Sequence, residues 1–220
     1  VPNNNAQRTL ILGRAGTEEP VLFTVREDFS LGSSSNAWGP VNVNADWNVL
    51  VANGKTLNVY GALNSSGRTI TVGGEGFSGT LVLNNAANAS MTAEWVITSG
   101  STVRCMNNSA LGSGLVTLDG GTLDFNSQTI GSTITLNMSG TGTLQNVTVD
   151  GAILSYTSSS GNDGITASNT TWTSGKIDIG RLLQGFSAEG SNTVDLGAEL
   201  GEGFTVLGLE TGQYRIEGSV

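Results

Sequence analysis

The feature that most constrains this chain is a short motif that recurs along it: a small residue, any residue, a Thr and an aliphatic residue. The threonines of neighbouring strong copies are separated either by a short gap or by a gap about twice as long. Weaker copies continue to the C-terminus. Repetition at a fixed spacing is typical of folds that stack similar units. The strong copies are GKTL (Gly54), GRTI (Gly67), SGTL (Ser78), GSTV (Gly100), GGTL (Gly120), GSTI (Gly131) and TGTL (Thr141).

Each unit of the repeat reads as a strand of about five residues and a turn. In the segment LVTLDGGTLDF, apolar side chains alternate with polar ones on both sides of a Gly-Gly pair. Alternation with a period of two predicts strands with one buried and one wet face. The chain has 32 Gly among 220 residues and only 12% charged residues, which favours turn-rich β structure over helix.

Regular strands at this spacing fit two architectures, a sandwich or up-and-down barrel and a parallel β-solenoid. The doubled gaps favour the solenoid, with two units and roughly 21 residues in each coil. We therefore predict an all-β parallel β-solenoid (β-helix) over residues 51–220. Residues 1–50 contain all three prolines and lack the repeat, so we expect an extended segment and an irregular cap or subdomain there.

The segment VITSGSTVRCMNNSALGSGLVTLDGGTLDFNSQTI resembles the autotransporter-associated β-strand repeat. The match covers roughly residues 96–130 and includes the ALGSG turn, the VTL strand and the GGTLDF strand. This resemblance implies an exported, extracellular or cell-surface β-helix of the passenger type, used as a stalk, adhesin or scaffold. It implies little about activity, because the motif residues build turns and core.

Composition excludes several classes of site. The chain has no His and one Cys, which excludes a His-based triad, His-ligated zinc and a disulfide framework. We expect no cofactor and no metal. The net charge is −9, and residues 111–220 hold 11 acidic and 3 basic residues. Such a surface disfavours nucleic acid as a partner, and no run is long enough to predict membrane insertion.

The candidate catalytic residues have simpler structural readings. Asp119 and Asp124 flank a Gly-Gly turn and could form a glycosidase pair, but Asp beside Gly more often stabilises a turn. Cys105 follows Val103 at strand spacing, which predicts a small buried hydrophobe. The four tryptophans are dispersed, which favours packing over sugar stacking. We therefore expect that the protein is not an enzyme.

The two ends of the chain suggest a function. An uncovered coil offers unpaired backbone to another chain, and a heterologous contact that does not close builds a filament. We expect a secreted structural subunit that self-assembles head to tail, as a homo-polymer, into an extracellular filament or surface layer through strand or cap exchange between subunits. The alternatives are a monomeric or trimeric adhesin or receptor-binding stalk with a cell-surface or carbohydrate ligand, and a polysaccharide-active enzyme. The residues predicted for the subunit joint are Val1, Pro2, Thr9, Leu10, Ile11, Leu12, Tyr214, Ile216 and Val220.

Overall fold

The computed structural model describes residues 9–14, 16, 19–34, 39–85, 88–98, 100–139, 141–156, 164–178, 193–195, 200–207 and 215–217. Within these ranges the chain forms β-strands and no helix. The strands are β1 (Leu10–Leu12), β2 (Val21–Val25), β3 (Phe29–Leu31), β4 (Val41–Val43), β5 (Trp47–Val51), β6 (Thr56–Val59), β7 (Leu63–Val72), β8 (Thr80–Leu83), β9 (Thr92–Thr98), β10 (Thr102–Cys105), β11 (Gly114–Asp119), β12 (Thr122–Ile130), β13 (Ile134–Met138), β14 (Thr141–Tyr156), β15 (Gly164–Asp178), β16 (Thr193–Asp195), β17 (Leu200–Leu207) and β18 (Arg215–Glu217).

The strands stack in parallel, which confirms the predicted β-solenoid. One flat stack, the first face, starts with β3, β6, β8 and β10 and continues through the first parts of β12, β14 and β15 to β16 and β18. The motif threonines lie in register here. Each coil adds about 4.8 Å along the axis. The column contains Thr56, Thr80, Thr102, Thr122 and Thr143.

Each coil has three sides rather than the two that the repeat predicts. The second face stacks β2, β5, the end of β7, β9, β11, β13 and the last parts of β14, β15 and β17. A third side begins with β1, β4 and the start of β7. Farther along the chain it consists of short segments within longer strands, where Gln128–Ile130 pairs with Val147–Val149.

The core lies inside the three sides and is built from columns of apolar residues. On the first face, Leu57, Leu81, Val103, Leu123 and Leu144 follow one another in register, and each is 0% exposed. Alternation along each strand therefore places the preceding threonines on the outer surface. Burial of such a continuous apolar column is the main stabilising contribution in a fold of this kind.

The coil pattern begins well before residue 51. Strands β1, β2 and β3 pair in parallel with β4, β5 and β6, in the same stacks as the later coils. The predicted boundary between residues 50 and 51 falls within β5, where the pairing does not change. Residues 1–8, at the start of the predicted extended segment, lie outside the described part of the chain.

One buried side chain joins three successive coils at a corner. Asn88 is 1% exposed, and its Oδ1 accepts a hydrogen bond of 2.7 Å from the backbone N–H of Leu63. Its Nδ2 donates a hydrogen bond of 2.7 Å to the backbone oxygen of Ala110. A buried backbone group needs such a partner where the strand ladder ends. Asn88 therefore holds the loops before β7 and after β10 in place.

Candidate functional site

In the described part of the chain, the first coil presents exposed apolar side chains at one end of the stack. Among the described residues, β1, β2 and β3 each have a paired strand on one side only. Phe29 occupies the inward column above Leu57, yet Phe29 is 47% exposed whereas Leu57 is 0% exposed. An edge strand with unpaired backbone and uncovered apolar side chains is a template for another strand.

Aromatic side chains hold this open end together. The Phe23 ring lies 6.4 Å from the Phe29 ring and 6.2 Å from the Trp47 ring, the latter pair in an edge-on arrangement. Leu22 is 63% exposed and Ile11 is 60% exposed on the outer surface of the same coil. We call the apolar surface formed by Leu10, Ile11, Val21, Leu22, Phe23 and Phe29 the open end.

The predicted joint residues fall into three groups. Thr9 precedes β1, and Leu10 to Leu12 form that edge strand, in which Leu12 is buried and Ile11 is exposed. Ile216 lies in β18 and pairs with Val194 of β16. The remaining residues of the prediction lie outside the described residues. These are Val1, Pro2, Tyr214 and Val220.

A cleft of about 430 Å³ runs along the third side, next to β4 and the first part of β7. Its lining comes from three successive coils. The outer column Asn42–Asn64 is part of this lining, and the two amides share a hydrogen bond of 3.0 Å from Asn64 Nδ2 to Asn42 Oδ1. The cleft is lined by Asn42, Val43, Asn44, Asn64, Ser65, Ser66, Arg68, Ser90 and Met91.

The cleft was missed in the sequence because its residues are far apart along the chain. The segments VNVN (41–44) and LNSS (63–66) share an apolar-Asn start, and this is the only sequence signal for it. Parallel pairing of Val41–Val43 with Leu63–Ser65 brings these segments together. Ser66 pairs in turn with Thr92, which adds the loop containing Ser90 and Met91.

The carboxylates Asp119 and Asp124 do not have equivalent surroundings. Asp119 is exposed at the end of β11, on the second face. Asp124 is 2% exposed on the first face and accepts hydrogen bonds from Arg104 Nε (2.9 Å), the Asn126 backbone (2.9 Å) and Asn146 Nδ2 (3.0 Å). These bonds connect three coils, which is the arrangement of a structural carboxylate.

The pKa of Asp124 reflects two opposing effects. Burial raises the pKa of this carboxyl group, because it penalises the charged form. Hydrogen bonds from Asn146, the Asn126 backbone, Arg104 and Gln145 favour the charged form and outweigh burial. The resulting pKa lies below the ordinary value of 3.8. Asp124 is therefore kept ionised, and both of its carboxylate oxygens already accept hydrogen bonds from neighbouring residues.

Cys105, Trp47 and Trp95 lie in the core, as predicted. Cys105 is 0% exposed, and burial raises the pKa of its thiol well above the ordinary range. Trp47 and Trp95 are 0% and 1% exposed, and Trp95 Nε1 donates a hydrogen bond to the Leu111 backbone oxygen. Trp38 lies outside the described residues.

Two further properties concern only the part of the chain that the structure describes. No cluster of three or more Asp, Glu or Cys side chains there is arranged to hold a metal ion. No helix long and apolar enough to cross a bilayer occurs in these segments.

Comparison with family models, curated proteins and solved structures found no match. The resemblance to the autotransporter-associated repeat therefore stays an expectation based on residues 96–130. Any function has to be argued from the open end and from the cleft.

Proposed function

We propose that this protein is a secreted structural subunit that stacks head to tail into an extracellular filament or surface layer. The observation that carries the proposal is the open end. Phe29 occupies a core position but is 47% exposed. A further coil stacked on this surface would bury Phe29, in the same way that the coils on either side of β6 bury Leu57.

The proposed occupant is the last coil of a second copy. All pairings between the named strands in the described residues are parallel, from β1 with β4 to β16 with β18. The last coil of a parallel stack therefore presents the backbone edge that the first coil lacks. A contact between the two ends joins different surfaces of each copy, so that it continues as a filament unless it closes into a ring.

Charge distribution is compatible with this contact. Residues 111–220 carry 11 acidic and 3 basic residues, whereas residues 1–110 carry 7 acidic and 6 basic residues. A nearly neutral end that meets an acidic end is repelled much less than two acidic ends that meet each other. The same difference disfavours tail-to-tail contacts, and it supports a single direction of growth.

Export is supported by composition and by the resemblance at residues 96–130. The chain is poor in charged residues and rich in Gly, which suits a durable, passive β rod. The proposal assigns the protein no catalytic role.

Sedimentation velocity and negative-stain electron microscopy of the full-length protein test the stacking. We expect larger species as concentration rises and linear particles with the width of one solenoid. Substitution Leu22→Asp on the outer surface and Phe29→Asp at the core position should both suppress these species. Met106→Asp is the matched control, because Met106 is 39% exposed and follows β10, far from the open end.

Circular dichroism should show unchanged β structure in the Leu22→Asp variant, since that side chain faces solvent. A full-length protein that stays monomeric at every concentration would refute the proposal. Equal assembly of the Leu22→Asp, Phe29→Asp and Met106→Asp variants would refute the assigned surface.

A further inference from the structure

The cleft on the third side has the size and the chemistry of a small-molecule site. Its volume of about 430 Å³ lies in the range of about 300–1,000 Å³ that is usual for such sites. Asn42, Asn64 and Ser90 lie along its outer wall on three successive coils, while Val43 and Met91 are buried beside it. The cleft therefore extends along the solenoid axis over three coils.

A buried hydroxyl group in this cleft has no partner. Ser65 pairs with Val43 in an inward column, is 9% exposed, and lines the cleft. Its Oγ has no hydrogen-bond partner among the described residues. A buried polar group without a partner is destabilising, and native structures rarely keep one without a reason. The Oγ atom is itself closed to solvent, so it does not reach the open space of the cleft.

The two amides above Ser65 have capacity for further hydrogen bonds. The bond from Asn64 Nδ2 to Asn42 Oδ1 uses one donor and one acceptor. The Asn42 amino group and the Asn64 carbonyl oxygen remain as a donor and an acceptor side by side. Ser66 and Ser90 add two hydroxyl groups to the lining. Neighbouring donors and acceptors of this kind match the adjacent hydroxyl groups of a sugar.

Arg68 makes the cleft cationic in a chain whose net charge is −9. The lining contains no acidic residue, and the ion pairs between described residues, Lys55–Glu27 and Arg104–Asp124, do not involve Arg68. A guanidinium group binds a carboxylate through two parallel hydrogen bonds.

Two acidic residues on the neighbouring coils lie close to Thr69, the residue after Arg68. Asp46 accepts a hydrogen bond of 3.0 Å from the Thr69 backbone and is already engaged there. Glu94 pairs with Thr69 in the register of β7 with β9. Neither carboxylate lines the cleft, so neither takes the place of a ligand carboxylate inside it.

We propose that the cleft binds a carboxylated sugar residue. In this complex Arg68 binds the carboxylate, and Asn42 and Asn64 bind ring hydroxyl groups. The inference does not rest on the stacking proposed above, because every lining residue belongs to one copy.

Nuclear magnetic resonance titration of the ¹⁵N-labelled full-length protein tests this site. The probes are galacturonate, glucuronate and N-acetylneuraminate, with galactose and glucose as neutral partners. At least one acidic sugar should shift the amide signals of residues 42–44, 64–68 and 90–91 with saturation. It should bind about tenfold more tightly than the neutral sugars, as one charge-assisted hydrogen-bonded contact predicts.

Two substitutions separate the parts of the site. Arg68→Gln should lower the affinity for the acidic sugar about tenfold and remove its advantage over the neutral sugars. Asn42→Ala should weaken both kinds of sugar alike. Arg26→Gln makes the same charge change at an exposed residue outside the cleft, and it should leave binding unchanged.

Three results would overturn the proposal. The first is that no acidic sugar binds, and the second is that neutral sugars bind equally well. The third is that inorganic phosphate or acetate produces the same shifts with the same affinity, which would indicate an anion site without sugar recognition. An equal loss of binding in Arg26→Gln would show that the charge effect does not come from the cleft, and it would contradict the role assigned to Arg68.

Discussion

Arg104 on one coil donates its Nε–H to Asp124 Oδ2 on the next coil, over a distance of 2.9 Å. Arg104 is half exposed, whereas the Asp124 side chain is only 3% exposed. Asp124 also binds Asn146 of the following coil. This single carboxylate therefore connects three levels of the first face, and it replaces strand pairing at the corner where β12 bulges.

Substitution Asp124→Asn should lower the free energy of unfolding by about 2 kcal/mol at pH 7, because it removes the charge that four donors share. Urea unfolding followed by circular dichroism measures the change. The exposed pair Lys55–Glu27 supplies the control, and Lys55→Gln should leave the unfolding midpoint unchanged.

The same substitution has a defined pH dependence. The folded-state pKa of Asp124 lies below its ordinary value of 3.8, so the carboxylate stabilises the fold fully above that value. The contribution disappears as the pH falls through the folded-state pKa. The difference between wild type and Asp124→Asn should therefore shrink under strongly acidic conditions, and a constant difference would contradict the assigned role.

Gly112 should tolerate no side chain. It has a φ of +74°, and a Cβ there would lie 2.9 Å from the Asn88 backbone oxygen and closer still to that of Met91. Gly54 has a φ of +69° but open space around it. Thermal unfolding should show a loss of about 1 kcal/mol for Gly54→Ala and at least about 3 kcal/mol for Gly112→Ala. Equal losses would mean that backbone conformation alone sets the cost.

Asn88→Ala should be one of the most destabilising single changes outside the apolar core. It leaves the Leu63 N–H and the Ala110 carbonyl buried without partners, at a cost of about 3 kcal/mol in unfolding free energy. Asn64→Ala is the matched control, because Asn64 is exposed and its side chain donates a hydrogen bond to Asn42, which is also at the surface of the cleft. Its loss should stay below about 0.5 kcal/mol.

The architecture could be predicted from the threonine repeat because that repeat marks the first face of each coil from β6 to β14. Thr80, Thr102 and Thr122 are separated by the long gaps of the repeat, and they pair directly in the structure. Thr69 and Thr133 belong to repeat units that lie part of the way around a coil, between two threonines of the first-face column. Thr69 starts the second-face part of β7, and Thr133 lies in the turn before β13. The short gaps therefore measured part of a coil, and the long gaps a whole one.

The threonine repeat could not predict the third side or the first coils. In the first coils the chain advances by larger and unequal steps, as from Leu10 to Val41 and from Phe29 to Leu57, so the spacing is lost. The third-side segment after Phe125 begins with polar residues in left-handed conformations, Asn126 and Ser127. Such a corner has no alternating pattern that would predict a strand.

The cleft depends on register, which the sequence did not supply. Asn42 and Asn64 are distant in the sequence and become neighbours only through the pairing of β4 with β7. Ser65 gave no signal of its own, since a Ser in a strand pattern is usually taken for a solvent-facing residue. Its inward position follows from its pairing with Val43.

The column of motif threonines also determines how such a molecule can change in evolution. Loss of residues 102–121 would bring Thr122 onto Thr80, with Leu123 over Leu81, so that the threonine column and the apolar column would both continue. Duplication of the same segment would add a level in the same way. The rod can therefore become longer or shorter by one whole coil at a time in evolution, without a new core having to arise each time.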